Sequence, residues 1–179
     1  MLYCWSNPNC RMLGVYHPLR SAIFEELYRR FRNLASNIDQ VAMKNCIRHY
    51  IRHRGEERPI ALGLISDQSP ILRPDTEWIE FFGQPTAFID GGENIAMKFR
   101  IPAYFTRIDR VAVGRYAVTF EEVFDGEEQV EEWEITRRYA ERLEAMIRRK
   151  PELWLWSHNR WRHTPEKQAK RFGKSTLKE

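Results

Sequence analysis

The sequence predicts an α/β fold in which a mixed, mostly parallel sheet is flanked by helices. Two amphipathic helical segments precede a continuous apolar run at residues 59–65, which is bounded by turn formers as in a strand buried on both faces. Helices followed by such a strand indicate an α/β unit with parallel strands. With 179 residues, of which 42% are hydrophobic, the chain is long enough for one domain with a real core.

The N-terminal half supplies the two helices. Apolar residues recur at helical spacing over residues 21–35, and Ser21 is suited to cap the first helix. The second helix is predicted over residues 39–54, where Met43, Ile47 and Tyr50 share a stripe and Gly55 supplies the stop. The apolar run at residues 59–65 follows as the first predicted strand.

The C-terminal half continues with a proline-containing loop over residues 69–90 and a short helix over residues 92–100. Residues 101–108 and 115–121 read as strands, and Gly114 marks a turn that would pair them antiparallel.

One further helix is predicted over residues 136–149, with Leu143, Met146 and Ile147 inward and Pro151 as its stop. Beyond residue 164 the segment is polar and basic, so the predicted domain covers residues 1–164 and the tail 165–179 is expected to be disordered.

The charge is unevenly distributed behind a net value of +4 and a pI near 9.0. Residues 121–134 carry eight acidic side chains and no basic one, whereas the N-terminal third and residues 158–178 are basic. Basic surface suits nucleic acid, an acidic protein or an anionic membrane, and charge alone does not choose among them. The acidic run reads most simply as a solvated loop and helix start.

The composition also argues against several classes of protein. No window of about 18 apolar residues exists, and the N-terminus lacks the features of a secretory signal, so neither a span nor a signal is expected. Three cysteines without CxxC spacing argue against a disulfide framework or a zinc site and favour reduced thiols. We therefore expect no metal and no redox cofactor.

Asp67 and Gln68 stand where the predicted buried strand ends. Ligands of open α/β sheets bind outside the carboxyl ends of strands, although an Asp there is often only a turn or a helix cap. Further along, Phe81 and Phe82 lie beside Gly83 and Pro85, so at least one ring must be exposed or inserted into a pocket. The alternative is a loop that a phenylalanine anchors to the core.

A third unusual segment, residues 151–161, is rich in tryptophan. Trp154, Trp156 and Trp161, with His158, Arg160 and Arg162, have the composition of a membrane interface belt or a nucleic-acid surface. Core packing is expected to claim Trp154 or Trp156.

In this order, the three segments resemble the bacterial lipid A biosynthesis acyltransferases, the lauroyl- and myristoyl-transferring branch of the lysophospholipid acyltransferase superfamily. The resemblance covers about residues 15–162. It implies a glycerolphosphate-acyltransferase-like fold, incomplete at the N-terminus. It also implies transfer of a fatty acyl group from acyl carrier protein, or from coenzyme A, to a hydroxyl of a lipid A precursor. The expected location is peripheral, on the anionic cytoplasmic face of the bacterial inner membrane.

The same resemblance suggests site residues. Asp67 and Gln68 match the motif that holds substrate headgroups, and Phe81 and Phe82 match a segment that lines the acyl chain and acceptor region. The family's phosphate-binding motif resembles residues 16–20, but His17 stands where many relatives have Arg. Three arginines are thus left as candidate phosphate ligands, although each could be an ordinary surface residue: Arg20, Arg30 and Arg32.

The family's catalytic motif is His, four residues, then Asp or Glu. Acyl transfer to a hydroxyl needs such a general base, usually His held by a carboxylate. None of the five histidines fits, because the residues five positions after His17, His49, His53, His158 and His163 are Ala22, Arg54, Arg58, His163 and Gln168. We therefore assign no catalytic residue and expect the chain to resemble the C-terminal part of an acyltransferase, inactive alone.

Two alternatives remain open at this point. A basic nucleic-acid-binding module would bind with a steep salt dependence. Against it, the aromatic residues lie in apolar runs and the acidic block would repel phosphates, so we expect no nucleic acid partner. A noncatalytic remnant that binds lipid without transforming it is the second alternative.

Overall fold

The computed structural model describes residues 9–19, 21–32 and 38–173, without the side chains of Phe31 and Arg32. The chain divides into two compact units, Met1–Ile65 and Ser66–Glu179, each of which is described by itself. The architecture is mixed α/β, with a small parallel sheet in the N-terminal unit and two antiparallel strand pairs in the C-terminal one. Within the described ranges, no helix combines the length and the apolar character needed to cross a bilayer.

The N-terminal unit is built on a three-stranded parallel sheet. Strand β1 (Arg11–Tyr16) lies in the middle, between β2 (Ile38–Ala42) and β3 (Ile60–Gly63). The prediction of a parallel strand within residues 59–65 is confirmed, although β3 is half-buried and not covered on both faces. Strand β1 was not predicted, yet its Leu13 is completely buried.

Two helices accompany this sheet. Helix α1 (Ala22–Arg32) confirms the first predicted helix, whose last residues, 33–35, lie outside the described ones. The prediction of a helix from residue 39 is wrong at its start, because β2 is followed by a 3-10 turn (Met43–Asn45) before α2 (Cys46–His53) begins. These residues form a strand because it buries two of their side chains: Ile38 and Val41 are 6% and 5% exposed in the sheet. Such packing overrides helical periodicity.

The C-terminal unit begins with a hairpin in a stretch predicted to be a loop. Strands β4 (Trp78–Phe81) and β5 (Gln84–Ala87) pair antiparallel. In β4, Ile79 and Phe81 are buried while Glu80 is exposed, the alternation of a strand with one face on the core. The loop prediction is therefore wrong for these residues.

The remaining core comes from a helix, a long hairpin and a second helix. Helix α3 (Gly91–Phe99) precedes β6 (Ala103–Ala112) and β7 (Arg115–Phe124), which pair antiparallel as predicted. Helix α4 (Glu134–Arg149) buries Leu143 and Ile147 to 2% and 1% exposure, which confirms its predicted inward face. A 3-10 turn (Pro151–Leu153) follows α4, where Pro151 was expected to stop it.

The loop between β7 and α4 exposes most of its acidic side chains, as expected, but Glu128 is fastened to the fold. Arg138 of α4 bonds the carboxylates of Glu128 and Glu134 and donates a 3.0 Å hydrogen bond to the Val123 carbonyl. Gly126 lies at φ +88°, and a Cβ there would stand 3.1 Å from the Arg100 carbonyl oxygen. The backbone of Gly126 is thus packed directly against the backbone of Arg100 and Pro102.

The segment after residue 164 begins with helix α5 (Pro165–Phe172), in place of the disorder predicted from that point. The Thr164 side chain accepts a hydrogen bond from the Lys167 amide as the N-cap, and Pro165 suits the first turn. Gln168 is 4% exposed and accepts a 2.6 Å hydrogen bond from the indole N–H of Trp78. Residues 174–179 lie outside the described ones.

Candidate functional site

Ser69 brings the Asp67 loop together with the tryptophan-rich segment at the other end of the unit. Its backbone N–H donates a 3.1 Å hydrogen bond to His158 Nε2. Its hydroxyl lies 2.6 Å from the Arg160 carbonyl oxygen, to which it donates. Two of the three segments singled out in the sequence therefore meet in space, and Asp67 stands two residues from the point of attachment.

Arg160 is buried beneath this loop. It is 2% exposed, and its guanidinium carbon lies 4.3 Å from the ring centroid of Phe88 and 5.8 Å from that of Phe81. Among the described residues, no hydrogen-bond partner faces its Nε or Nη2. The expectation of a surface patch that includes Arg160 is therefore wrong, because aromatic faces hold this cation inside the fold.

Two acidic side chains, Tyr139 and Asp67, interact electrostatically with Arg160. Burial lowers the pKa of Arg160 to about 10, and these two groups act in the opposite direction. Burial also raises the pKa of Tyr139, and the Asp67 charge adds to that rise. Asp67 is partly exposed and Gln68 exposed, so the acidic group faces outward while its cationic counterpart lies in the core.

The remaining segment, Phe81 and Phe82, joins the same cluster by packing against Trp161. The Trp161 ring centroid lies 6.1 Å from that of Phe81 and 6.4 Å from that of Phe82. Its indole N–H donates a 3.0 Å hydrogen bond to the hydroxyl of Thr86, which is 1% exposed. Phe81 is likewise 1% exposed, so the anchoring interpretation holds for that ring, and Phe82 is the half-exposed one.

The backbone at Phe82 is held in an unusual conformation. Its φ is +54°, in the left-handed region that a bulky residue rarely adopts. The Phe82 N–H donates a 2.7 Å hydrogen bond to Glu144 Oε2 on α4, and the Arg148 guanidinium lies 4.7 Å from the Phe82 ring centroid. The hydrogen bond from Phe82, with that from Arg148, holds the pKa of Glu144 below its usual range.

Glu144 and Arg148 were missed in the sequence. Their i, i+4 spacing favours an ion pair, and the structure has it at 2.6 Å. Nothing in the sequence near Glu144 indicates that its carboxylate would also accept a hydrogen bond from Phe82 in the β4–β5 hairpin.

The three candidate arginines belong to the N-terminal unit. Arg20 and the side chain of Arg32 lie outside the described residues. Arg30 is exposed, and its Nε lies 3.1 Å from a Glu26 carboxylate oxygen that also serves Arg29. Its role as a phosphate ligand remains a prediction.

The N-terminal unit also contains a histidine–carboxylate pair that does not have the His-x4-Asp/Glu spacing. His49 Nε2 lies 3.2 Å from Asp39 Oδ2, and Arg11 Nε donates a 2.7 Å hydrogen bond to the same oxygen. Partial burial opposes ionisation of Asp39, but the hydrogen bonds from Arg11 and His49 prevail and lower its pKa. Because Asp39 is shared with a permanent cation, this cluster ties α2 to β1 and β2 and is a weaker choice for a general base.

Of the tryptophans in the third segment, Trp154 is 9% exposed and belongs to the core, as expected for one of the first two. Trp156 is 56% exposed. Across the described part of the chain, no group of three or more His, Cys, Asp or Glu side chains could hold a metal ion.

Residues 7–163, most of the chain, match the family model described as bacterial lipid A biosynthesis acyltransferase. No curated protein sequence matches the chain. The matched range includes the Asp67 loop, the β4–β5 hairpin and the segment through Trp161, which are the parts that meet in the C-terminal unit.

Proposed function

The chain belongs to the bacterial lipid A biosynthesis acyltransferase family, and from this premise we propose that it binds substrate for O-acyl transfer to a lipid A precursor. The donor in this proposal is acyl carrier protein, with coenzyme A as the less favoured carrier. The single observation that carries the proposal is that Ser69, two residues after Asp67, is hydrogen-bonded to Arg160, while the next residue, Trp161, packs against Phe82.

Asp67 and Gln68 take the polar part of the acceptor. An ionised carboxylate and an amide can accept and donate hydrogen bonds to the hydroxyl and amide groups of a sugar headgroup. The Asp67 carboxylate opposes the lowering of the Arg160 pKa by burial, so the two side chains interact electrostatically between the loop and the core.

Phe82 provides the apolar wall for an acyl chain, with Phe81 supporting it from within the core. Each buried methylene of such a chain contributes about 0.8 kcal/mol, so a short stretch of wall is enough to matter. The left-handed backbone and the Glu144 hydrogen bond hold Phe82 in one place. Arg20, Arg30 and Arg32 stay in the proposal as ligands for an acceptor phosphate.

A binding titration tests these assignments. We expect the tryptophan fluorescence of the chain to change on addition of a lipid A precursor in detergent micelles, and D67N and F82A to weaken binding. The matched controls are D75N, an exposed aspartate, and F99A, another half-buried phenylalanine. Equal affinity of D67N and wild type would remove Asp67 from the site.

A transfer assay tests the missing base. We expect the 179-residue chain to produce no acylated product from acyl carrier protein thioester and lipid A precursor, since no histidine has the required spacing. Turnover that survives D67N would contradict both the assignment and the site, and its loss in H49A would point to the His49–Asp39 pair. Binding without turnover in a protein with the His-x4-Asp/Glu motif restored would favour a noncatalytic lipid-binding role.

A further inference from the structure

We propose that the tip of the β6–β7 hairpin, residues 110–116, is a contact surface for an anionic phospholipid bilayer. The tip comprises Arg110, Val111, Ala112, Val113, Gly114, Arg115 and Tyr116. This proposal goes beyond acyl transfer, because it concerns how the C-terminal unit meets the surface where its lipid substrates lie.

The first argument is exposed apolar area. Val113 is 87% exposed and Val111 is 62% exposed, although valine is among the residues most often buried. The strand register shifts between Arg110 and Ala112. Val111 therefore lies in a β-bulge, which changes the direction of the end of the strand. Gly114 at φ +70° closes the turn. Two apolar side chains, separated by one residue, are therefore exposed at the end of the hairpin.

The second argument is the chemistry that flanks the valines. Arg110 and Tyr116 are opposite each other in the register, and Arg115 follows the turn directly. Tyr116 is 55% exposed, with an apolar ring and a polar hydroxyl suited to the boundary between lipid and water. The valines would enter the apolar edge of the bilayer, while the arginines and the tyrosine would lie at the level of the lipid headgroups.

The third argument is charge complementarity. The tip contains two arginines and no acidic residue. Just behind it, the carboxylate of Asp109 is contacted by Arg149 at 3.0 Å, Lys150 at 3.1 Å and Arg107 at 3.0 Å. The acidic residues of β7 and the loop after it, such as Glu121 and Glu122, lie at the other end of the hairpin. The basic end would face anionic lipid headgroups and the acidic end would be turned away.

A second copy of the chain fits this surface less well. A two-fold contact places the same patch on both partners, so Arg110 and Arg115 would meet their own copies. Nucleic acid would attract the arginines but would leave the exposed valines in water.

Vesicle sedimentation with the full chain tests the proposal. We expect binding to phosphatidylglycerol–phosphatidylethanolamine vesicles and little binding to phosphatidylcholine vesicles. V113D should lower the partition coefficient by about tenfold, because it replaces the apolar apex by a charge that anionic lipid repels. Asp-Gly is a favourable turn sequence, so V113D should keep the hairpin, as circular dichroism would check.

A double variant tests the charges separately. R110S/R115S should weaken binding by about fivefold for each arginine removed, and K170S/R171S, with the same charge change on α5, should have a smaller effect. I23D and L155D are the matched apolar controls, since Ile23 is 81% and Leu155 63% exposed. Loss of binding in either control, with V113D unaffected, would overturn the proposal.

Two further results would also overturn it: a dimer that V113D dissociates, or binding to nucleic acid that V113D leaves intact without any binding to vesicles. The outcome is separable from that of the proposed function. D67N should bind vesicles as wild type does, and V113D should bind lipid A precursor in micelles as wild type does.

Discussion

The Ser69 hydroxyl donates a 2.6 Å hydrogen bond to the carbonyl oxygen of Arg160, 91 positions further along the chain. The Ser69 amide donates to His158 Nε2 in the same contact. A loop that carries a candidate acceptor-binding carboxylate is therefore fixed to the segment that buries the arginine beneath it.

S69A should destabilise the C-terminal unit. The substitution removes the hydroxyl donor to Arg160 and leaves a part-buried carbonyl less satisfied, so the free energy of unfolding should fall by about 1 kcal/mol. Urea denaturation followed by tryptophan fluorescence measures the change. S157A is the matched control, because Ser157 is exposed nearby. Equal losses in both variants would show that the Ser69 contact contributes nothing.

R160M should have the opposite effect on stability. Arg160 is buried with two nitrogens lacking described partners, and burial lowers its pKa to about 10, so the fold bears a desolvation cost there. Asp67 is partly hydrated and tolerates the loss, and the unfolding free energy should stay equal or rise by up to about 2 kcal/mol.

Acceptor binding by R160M should weaken at the same time, since Asp67 loses its cationic neighbour. Parallel denaturation and fluorescence titrations separate the two effects. A loss of stability without a loss of binding would show that the guanidinium serves the core alone.

Stability should depend on Glu144 in a pH-dependent way. The hydrogen bond from Phe82, with that from Arg148, lowers the folded-state pKa of Glu144 below the ordinary value of 4.5. Folding therefore favours the ionised form, and its stabilisation is complete above the unfolded-state pKa and lost as pH falls through the folded-state pKa. Thermal unfolding of wild type and E144Q should differ at pH 7, and the difference should shrink as the pH falls below the ordinary glutamate pKa of 4.5. A difference that is constant with pH would exclude this carboxylate as the cause.

T86V should loosen Trp161. The Thr86 hydroxyl accepts from the Trp161 indole and donates to the Gln84 carbonyl, and valine keeps the shape while removing both bonds. The unfolding free energy should fall by about 1–2 kcal/mol, because the part-buried indole N–H is left unpaired. T86S, which keeps the hydroxyl, should recover much of the loss. Denaturation of the two variants side by side makes the measurement.

The sequence predicts best where local pattern and burial agree. Helix α4 and the β6–β7 hairpin have the periodicity of their structures, and both are found. The β4–β5 hairpin was missed because Pro85, which lies inside β5 opposite Glu80, reads as a strand breaker. Residues 39–42 of strand β2 were read as the start of a helix, because the helical periodicity of Met43, Ile47 and Tyr50 was extended N-terminally into them.

The roles of the candidate site residues remain predictions, and only part of their arrangement could be expected from the sequence. Asp67, Phe81 and Phe82 were singled out from their residue types, and the structure places them in one unit with Trp161. The burial of Arg160 could not be predicted, because the rings that receive it, Phe81 and Phe88, are distant in sequence and arginine is usually exposed. The role of Glu144 could not be predicted either, because its partner is the backbone amide of Phe82, which is distant in sequence.

The Gly126 corner sets a pattern of mutational tolerance in the acidic run. Neighbouring glutamates of the loop such as Glu127 can be exchanged for other polar residues at little cost, whereas any side chain at 126 would both strain the backbone and press on the Pro102 nitrogen, 3.2 Å from the added carbon. In a library that samples every residue at every position from 121 to 134, selection for folded protein should leave this one position almost invariant.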